Sequence, residues 1–463
     1  MTESVHFPAS VFKAYDIRGT LPDQLNAPFA RHLGRALAQQ ARQADVNTVV
    51  VGYDGRLSSP DLARTLHDGL NEGGVDSVDL GCVPTPLVYY AAHVLKTGSG
   101  IAITGSHNPP DYNGFKIMLA GKTLYGEDIQ ALRRIMLHPD PLDGLAPGNR
   151  HSQDMLEHYV ARIVDDVRLA RPMRIAIDCG NGAGGVVAEH LFTRLGCEVY
   201  PLYCDVDGTF PNHHPDPAVP ANLADLISHV AAHQCDLGLA FDGDADRLGV
   251  VTQEGNIIWP DRHLILYAQD VLSRQPGATI VFDVKCSRHV ERAITGAGGK
   301  AVMGQTGHSL IKARMIELDA ALGGEMSGHT FFAERWYGFD DGLYTGARLL
   351  EILSHYPDPS AILNALPQDI ATPELQLRLA EGEPAALIRR LQEHGEFPTA
   401  QRLITLDGVR AEYADGFGLA RASNTTPVIV LRFEAETAEG LARIQDEYRQ
   451  AFRHLAPDRT LPF

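Results

Sequence analysis

The segment Thr104-Gly105-Ser106-His107-Asn108-Pro109-Pro110 sets one hydroxyl in a tight turn behind the apolar run Ile101-Ala102-Ile103, with Lys116 shortly after. A strand that delivers a serine to a sharp turn can present its oxygen as a nucleophile or phosphoryl carrier. The plain alternative is a strand-exit turn, since Ser, Asn, Gly and Pro are the residues turns use. A second segment argues against that alternative. Phe241-Asp242-Gly243-Asp244-Ala245-Asp246-Arg247 puts carboxylates at alternate positions, with a guanidinium directly after them. Alternating acids on an extended loop can turn several oxygens toward one Mg²⁺ or Ca²⁺. An EF-hand loop also begins D-x-D-x-D, but its sixth-position Gly is Arg247 here and its twelfth-position Glu is Gln253. Leu237-Gly238-Leu239-Ala240-Phe241 places the acids at the end of a buried-looking strand, where ligand sites of open α/β sheets lie.

Later segments add further groups. Gly324-Glu325-Met326-Ser327-Gly328-His329 offers a carboxylate and a hydroxyl two residues apart. On an extended loop both face one side and can bridge adjacent sugar hydroxyls. Arg421-Ala422-Ser423-Asn424-Thr425-Thr426 joins a guanidinium to hydroxyl and amide donors, a set suited to phosphate. Its plain alternative is a polar hairpin loop. Gly180-Asn181-Gly182-Ala183-Gly184-Gly185 matches G-x-G-x-x-G after the run Arg174 to Asp178, with Asp205 further on. This makes a Rossmann-type NAD(P) dehydrogenase the rival from another class. The unit there is too short for a full dinucleotide fold, and the rival leaves the other motifs unexplained. A non-catalytic metal-binding module is the third reading.

TGSHNPPDYNGFK (Thr104 to Lys116), DGDADR (Asp242 to Arg247), GEMSGH (Gly324 to His329) and RASNTTP (Arg421 to Pro427) occur in that order. Together they resemble the α-D-phosphohexomutases, specifically the bacterial phosphomannomutase/phosphoglucomutase branch. FKAYDIRG (Phe12 to Gly19) is similar too, and the resemblance runs from residue 12 almost to the end. One departure is Tyr53 in GYDGR, where the family commonly has Arg.

The resemblance implies interconversion of the 1- and 6-phosphates of mannose and glucose. A phosphorylated Ser106 would give its phosphoryl group to the sugar, and glucose or mannose 1,6-bisphosphate would be both intermediate and activator. It implies Mg²⁺ on Asp242, Asp244 and Asp246, with a phosphoryl oxygen on Ser106 as a further ligand and Arg247 as a second positive contact. Proton transfer falls to Lys116, with Arg18 and His107 nearby and His329 as an assisting acid. Lys116 is a base only if neighbouring cations lower its pKa. By the same resemblance Glu325 and Ser327 read O3 and O4, while Tyr15, Lys285 and His308 line the cleft. Arg421, Ser423, Asn424 and Thr425 clamp the phosphate that is not reacting. A phosphoglucosamine mutase is the nearest alternative, but it usually has Gln where this chain has Met326. The pathway implied is nucleotide-sugar and polysaccharide synthesis.

The elements that must position these loops recur. Val49-Val50-Val51-Gly52-Tyr53-Asp54, Ile175-Ala176-Ile177-Asp178 and Ile280-Val281-Phe282-Asp283 are each a β-branched run ending in Asp. Each is followed by a second apolar run that ends in a motif loop. This is the pattern of a threefold α/β repeat in which every unit lends one loop to a shared cleft. Pro/Gly-rich breaks near residues 138–153, 254–255 and 366–367 divide the chain. The expected units are 1–153 with the serine loop, 154–254 with the metal loop, 255–367 with the sugar loop, and 368–463 with the phosphate loop. The fold class is thus α/β: three similar mixed-sheet domains, plus a smaller α+β domain with helices near 384–394 and 441–455 and strands near 402–406 and 428–433.

The 463 residues are 44% hydrophobic and 21% charged, enough to bury large cores. A net charge of −18 argues against nucleic-acid or anionic-membrane partners, but not against a phosphate held by local cations. The six cysteines form no C-x-x-C pair and read as reduced thiols. No apolar run is long enough for a membrane span or signal peptide. The expectation is a cytoplasmic monomer acting on small sugar phosphates.

Overall fold

The computed structural model describes residues 7–424 and 426–463. Thr425, expected in the phosphate loop, lies outside them.

Three sheets repeat one arrangement. A central strand runs parallel to a strand on either side, and one of these leads through a loop into an antiparallel fourth. In the first sheet Thr48–Tyr53 lies between Asp76–Cys82 and Gly100–Ile103, and the latter turns into Tyr112–Leu119. In the second Arg174–Asp178 lies between Glu198–Leu202 and Leu237–Phe241, which turns into Leu248–Thr252. In the third Thr279–Asp283 lies between Lys300–Gly304 and Leu322–Gly324, which turns into Thr330–Phe332. The serine, acid and sugar loops occupy the same connection each time. The Val-rich and Ile-rich central strands are buried along almost their whole length, as strands covered on both faces must be.

The second expected break, at 254–255, falls inside a hairpin. Ile257–Ile258 pairs back on Leu248–Thr252 and so keeps Gly255, at φ 83°, within the second sheet.

The last unit is an antiparallel sheet ordered Ile370–Ala371, Val428–Ala435, Gly416–Ala422, Val409–Glu412, Arg402–Ile404, with Leu375–Arg378 also on Val428–Ala435. Its helices, Glu383–His394 and Ala438–Leu455, cover one face. Four of these strands, at 370, 375, 409 and 416, have no counterpart in the sequence reading. Gly416-Phe417-Gly418-Leu419-Ala420 reads poorly as a strand because glycine weakens one. Here Gly418 makes room for the Tyr448 ring, which a Cβ at that position would meet at 2.4 Å.

The largest apolar cluster runs through the first three units, from Val50 through Phe241 to Leu363. A separate one around Phe433 and Tyr448 lies under the fourth sheet. All six cysteines are free. Among the described residues no helix is long and apolar enough to cross a membrane.

Candidate active site

Ser106 sits in the turn after Gly100–Ile103 with its backbone in the left-handed region, at φ 49°. Only 1% of its surface is exposed. Its Oγ donates to Asp242 Oδ2 at 3.1 Å and lies 3.3 Å from His107 Nδ1. Two loops from different units therefore meet at one hydroxyl. Burial first, then the cations Arg247, Arg18 and Lys116, push His107 well below the usual imidazole range. Arg18, on the edge strand Ile17–Thr20, donates to Asn108 Oδ1 at 2.6 Å and to Asp16 Oδ2 at 2.5 Å.

The acid loop is a turn and not the extended segment expected. Ala245 N closes on the Asp242 carbonyl at 3.0 Å, and Ala245 itself is left-handed, at φ 58°. The turn still brings the carboxylates together: one oxygen each from Asp242, Asp244 and Asp246 lie within 4.8 Å of one another, all fully buried. Asp244 Oδ2 accepts from Thr85 Oγ1 at 2.6 Å and from Lys116 Nζ at 2.7 Å, while its buried Oδ1 has no hydrogen-bond partner among the described residues. Burial and the two neighbouring acids push Asp242 well above the usual carboxylate range. An orphaned buried oxygen and crowded like charges are what a hard divalent cation with oxygen ligands would relieve.

The glycines of 180–185 serve this loop. Ala183 N donates to the Gly243 carbonyl at 2.9 Å, and a Cβ on Gly182 would come within 2.7 Å of that oxygen. Close packing of Gly182 on the acid turn, of Gly180 on Pro215 and of Gly185 on the Cys204 carbonyl accounts for the G-x-G-x-x-G run that suggested the dehydrogenase rival.

Lys116 departs from expectation. It lies on Tyr112–Leu119 with its ammonium between Asp244 and Asp246. Burial disfavours the charge, but Asp244, Asp246 and Asp242 together outweigh it and raise the amine above its ordinary value. The expected lowering by flanking cations is thus reversed, because acids and not cations are its nearest neighbours. His329 is held differently. Burial opposes its charge, but Asp246 at 3.3 Å and Glu325 at 2.9 Å, one on each ring nitrogen, raise its pKa to about 9. Arg247 Nε lies 3.3 Å from the same ring and 3.6 Å from Asp242 Oδ2.

The sugar loop is also a turn, closed by Gly328 N on the Glu325 carbonyl at 3.1 Å with Gly328 at φ 108°. Its polar tips converge nonetheless, with Ser327 Oγ 3.5 Å from Glu325 Oε2. Beside it His308 stacks on His329 at 5.5 Å and faces Asp340 at 3.3 Å. Tyr15 donates to the Thr306 carbonyl at 2.5 Å and accepts from Asn424, so the first, third and fourth units share one phenol. Lys285 pairs with Glu374 at 3.0 Å. Arg421 Nε pairs with Asp407 at 2.9 Å, and its buried Nη2 has no hydrogen-bond partner among the described residues. Ser423 shapes the phosphate hairpin, its Oγ accepting from Thr426 N at 3.3 Å and from Thr426 Oγ1 at 3.1 Å.

Comparison with known proteins matches that arrangement unit by unit. Models of the phosphoglucomutase/phosphomannomutase α/β/α domains I, II and III match residues 9–142, 157–255 and 259–370, and the C-terminal domain model matches 374–451. The chain is 53% identical, over 98% of both chains, to the phosphomannomutase/phosphoglucomutase of Pseudomonas aeruginosa. The chain belongs to the phosphoglucomutase/phosphomannomutase family. It is also 53% identical to the phosphoglucomutase of Neisseria meningitidis, covering 95% of this chain and 96% of that one. A family member from Burkholderia thailandensis superposes with a TM-score of 0.94 at 51% identity, covering 99% of this chain and all of that one.

In this family member the sequence reading missed several residues that touch the predicted ones. Thr85 and Asp340 hold Asp244 and His308, and Asp407 and Glu374 hold Arg421 and Lys285. Thr85 and Glu374 lie 159 and 89 residues from their partners, while Asp340 and Asp407 are nearer. Asp54 and Asp283 carried a readable signal, as the recurring Asp at a strand end. Asp54 accepts from Gly105 N at 3.1 Å, and Asp283 accepts from Met326 N at 3.1 Å. In both units the strand-end acid ties down the adjoining motif loop.

Proposed function

We propose that the chain interconverts hexose 1- and 6-phosphates of both glucose and mannose, with Ser106 as phosphoryl carrier and the hexose 1,6-bisphosphate as intermediate and activator. The observation that carries this reading is the buried Ser106 hydroxyl 3.1 Å from the acid loop of another unit, with Arg18 on Asn108 of the serine loop and Lys116 and Arg247 on the acid loop. Asp242, Asp244 and Asp246 would hold Mg²⁺, which when bound neutralises charge on the transferring group. Phosphoryl transfer through a loose transition state asks for positioning and positive charge more than for a strong base. Lys116, as an ammonium, and Arg247 answer that need. His329, protonated at neutral pH, is suited to give a proton to a leaving sugar oxygen.

Glu325 and Ser327 converge as a pair able to read two adjacent sugar hydroxyls. Arg421, whose buried Nη2 has no partner among the described residues, is the grip for the phosphate that is not reacting. Met326 supplies no amide at the centre of the sugar loop, which favours hexose over glucosamine phosphates.

Two results test this reading. None of the assigned sugar contacts reads C2, so inverting that centre leaves no assigned polar group unpaired. In a coupled assay kcat/KM for glucose 1-phosphate and mannose 1-phosphate should agree within about 30-fold. Galactose 1-phosphate, inverted at C4, should be much poorer. A mannose-to-glucose ratio beyond roughly 1,000-fold would overturn the assignment of the sugar loop. Arg421→Ala removes a charge-assisted fork and should raise KM about 10- to 100-fold for both sugars. An unchanged KM would remove Arg421 from the clamp.

A further inference from the structure

The turn that carries Ser106 is held from behind by a side chain with no part in the chemistry described so far. Arg56 lies just past the strand Thr48–Tyr53, and its side chain is fully buried. Its Nη2 donates to the carbonyl oxygens of Ser106 at 2.8 Å and Asn108 at 2.6 Å. Its Nη1 donates to those of Pro109 at 2.5 Å and Tyr112 at 3.1 Å, and its Nε to Asp54 Oδ2 at 3.0 Å. The serine loop is thus rolled around one guanidinium, with four carbonyls turned inward onto it. Only arginine offers this many donors in one rigid plane; a lysine ammonium has three donors at a single point.

Asp54 completes the frame. The same Oδ2 accepts from Thr104 Oγ1 at 2.9 Å, and that hydroxyl in turn accepts from Ser106 N at 2.7 Å. Both backbone polar atoms of Ser106 are therefore held by side chains rooted on one carboxylate. A non-glycine residue in the left-handed region persists where its surroundings over-determine it. The second unit closes the outside: the Phe210 ring lies 5.0 Å from the guanidinium, and a Cβ on Gly208 would meet Gly55 O at 2.4 Å.

We infer that Arg56 is a positioning residue for phosphoryl transfer, fixing with Asp54 and Thr104 the backbone of Ser106 so that its oxygen faces the acid loop. The inference rests on the reading of Ser106 as phosphoryl carrier. Since the sugar phosphate is held by other loops, loosening this frame impairs transfer and spares binding. A misplacement of about 1 Å at the reacting atom is enough to cost about 100-fold in rate.

The test uses the full-length enzyme charged with glucose 1,6-bisphosphate and assayed on glucose 1-phosphate. Arg56→Lys should lower kcat about 100-fold and Thr104→Val about 10-fold, with KM within about threefold of the wild type in both. A single-turnover chase should show the phosphate leaving Ser106 correspondingly more slowly. A merely structural role would lower the amount of active enzyme without slowing that chase. If Arg56→Lys fails to fold, Thr104→Val, which is nearly isosteric, decides alone. Phosphate on Ser106 in the wild type, with kcat of the folded variants within about threefold of it, overturns the inference and leaves the reading standing. Phosphate found in the wild type on another residue overturns the reading, and the inference with it.

Discussion

Replacing Ser106 by alanine is expected to lower kcat by about 10⁴-fold or more, because the group that forms the covalent intermediate is gone. The fold should survive. The substitution removes the hydroxyl's contacts with Asp242 and His107, together worth roughly 1–3 kcal/mol. In a chain of this size that moves the thermal midpoint by only a few degrees. Mass spectrometry of the intact protein should show a phosphate adduct on the wild type that the variant lacks. An adduct that persists in the variant, or a variant that keeps a tenth of wild-type turnover, would mean that another atom carries the phosphoryl group.

The second large effect is expected from metal removal. Three buried carboxylates crowd within 4.8 Å, and one oxygen of Asp244 has no hydrogen-bond partner among the described residues. Excess chelator should abolish turnover and added Mg²⁺ should restore it. Asp244→Asn should depress turnover by about 100-fold at ordinary Mg²⁺. A readout free of catalysis is available as well. A cation that binds the native state alone raises its stability by about 2.7 kcal/mol at a hundredfold excess over Kd. The thermal midpoint should therefore climb with Mg²⁺ in the wild type and not in Asp244→Asn. Full activity in chelator, or equal midpoints with and without Mg²⁺, would refute a cation on these aspartates.

The loops were legible because their chemistry is local. Ser106 in a turn, alternating acids before Arg247, and Glu325 beside Ser327 can each be seen in a short window of sequence. The three-unit sheet pattern was legible because each central strand is a continuous β-branched run ending in Asp. What stayed hidden is pairwise and distant. Nothing near Lys116 shows that its ammonium lies between Asp244 and Asp246, so its expected drop in pKa became a rise. The backbone of the acid and sugar loops was also misjudged. Period-two spacing suggests an extended chain, yet both segments are turns, closed by Ala245 N on the Asp242 carbonyl and Gly328 N on the Glu325 carbonyl, that still gather the same side chains. The strand Gly416–Ala422 was hidden by glycines whose purpose is to admit a neighbouring ring.

The contiguity of the sheets bears on how activity arises during folding. Each sheet draws its strands from one continuous stretch of chain, the first from residues 17 to 152 and the fourth from 370 to 435. Long chains of this kind fold domain by domain, with secondary structure forming ahead of complete tertiary packing. No single stretch contains the chemistry. Ser106 has no acid loop to face until the second sheet has docked on the first. Tyr15 has no Asn424 until the last hairpin arrives. The apolar cluster from Val50 to Leu363 is the surface on which the first three sheets come together. Catalytic competence is therefore a property of assembly. It is gained after the secondary structure is complete, and it is the first thing lost when any one unit lets go.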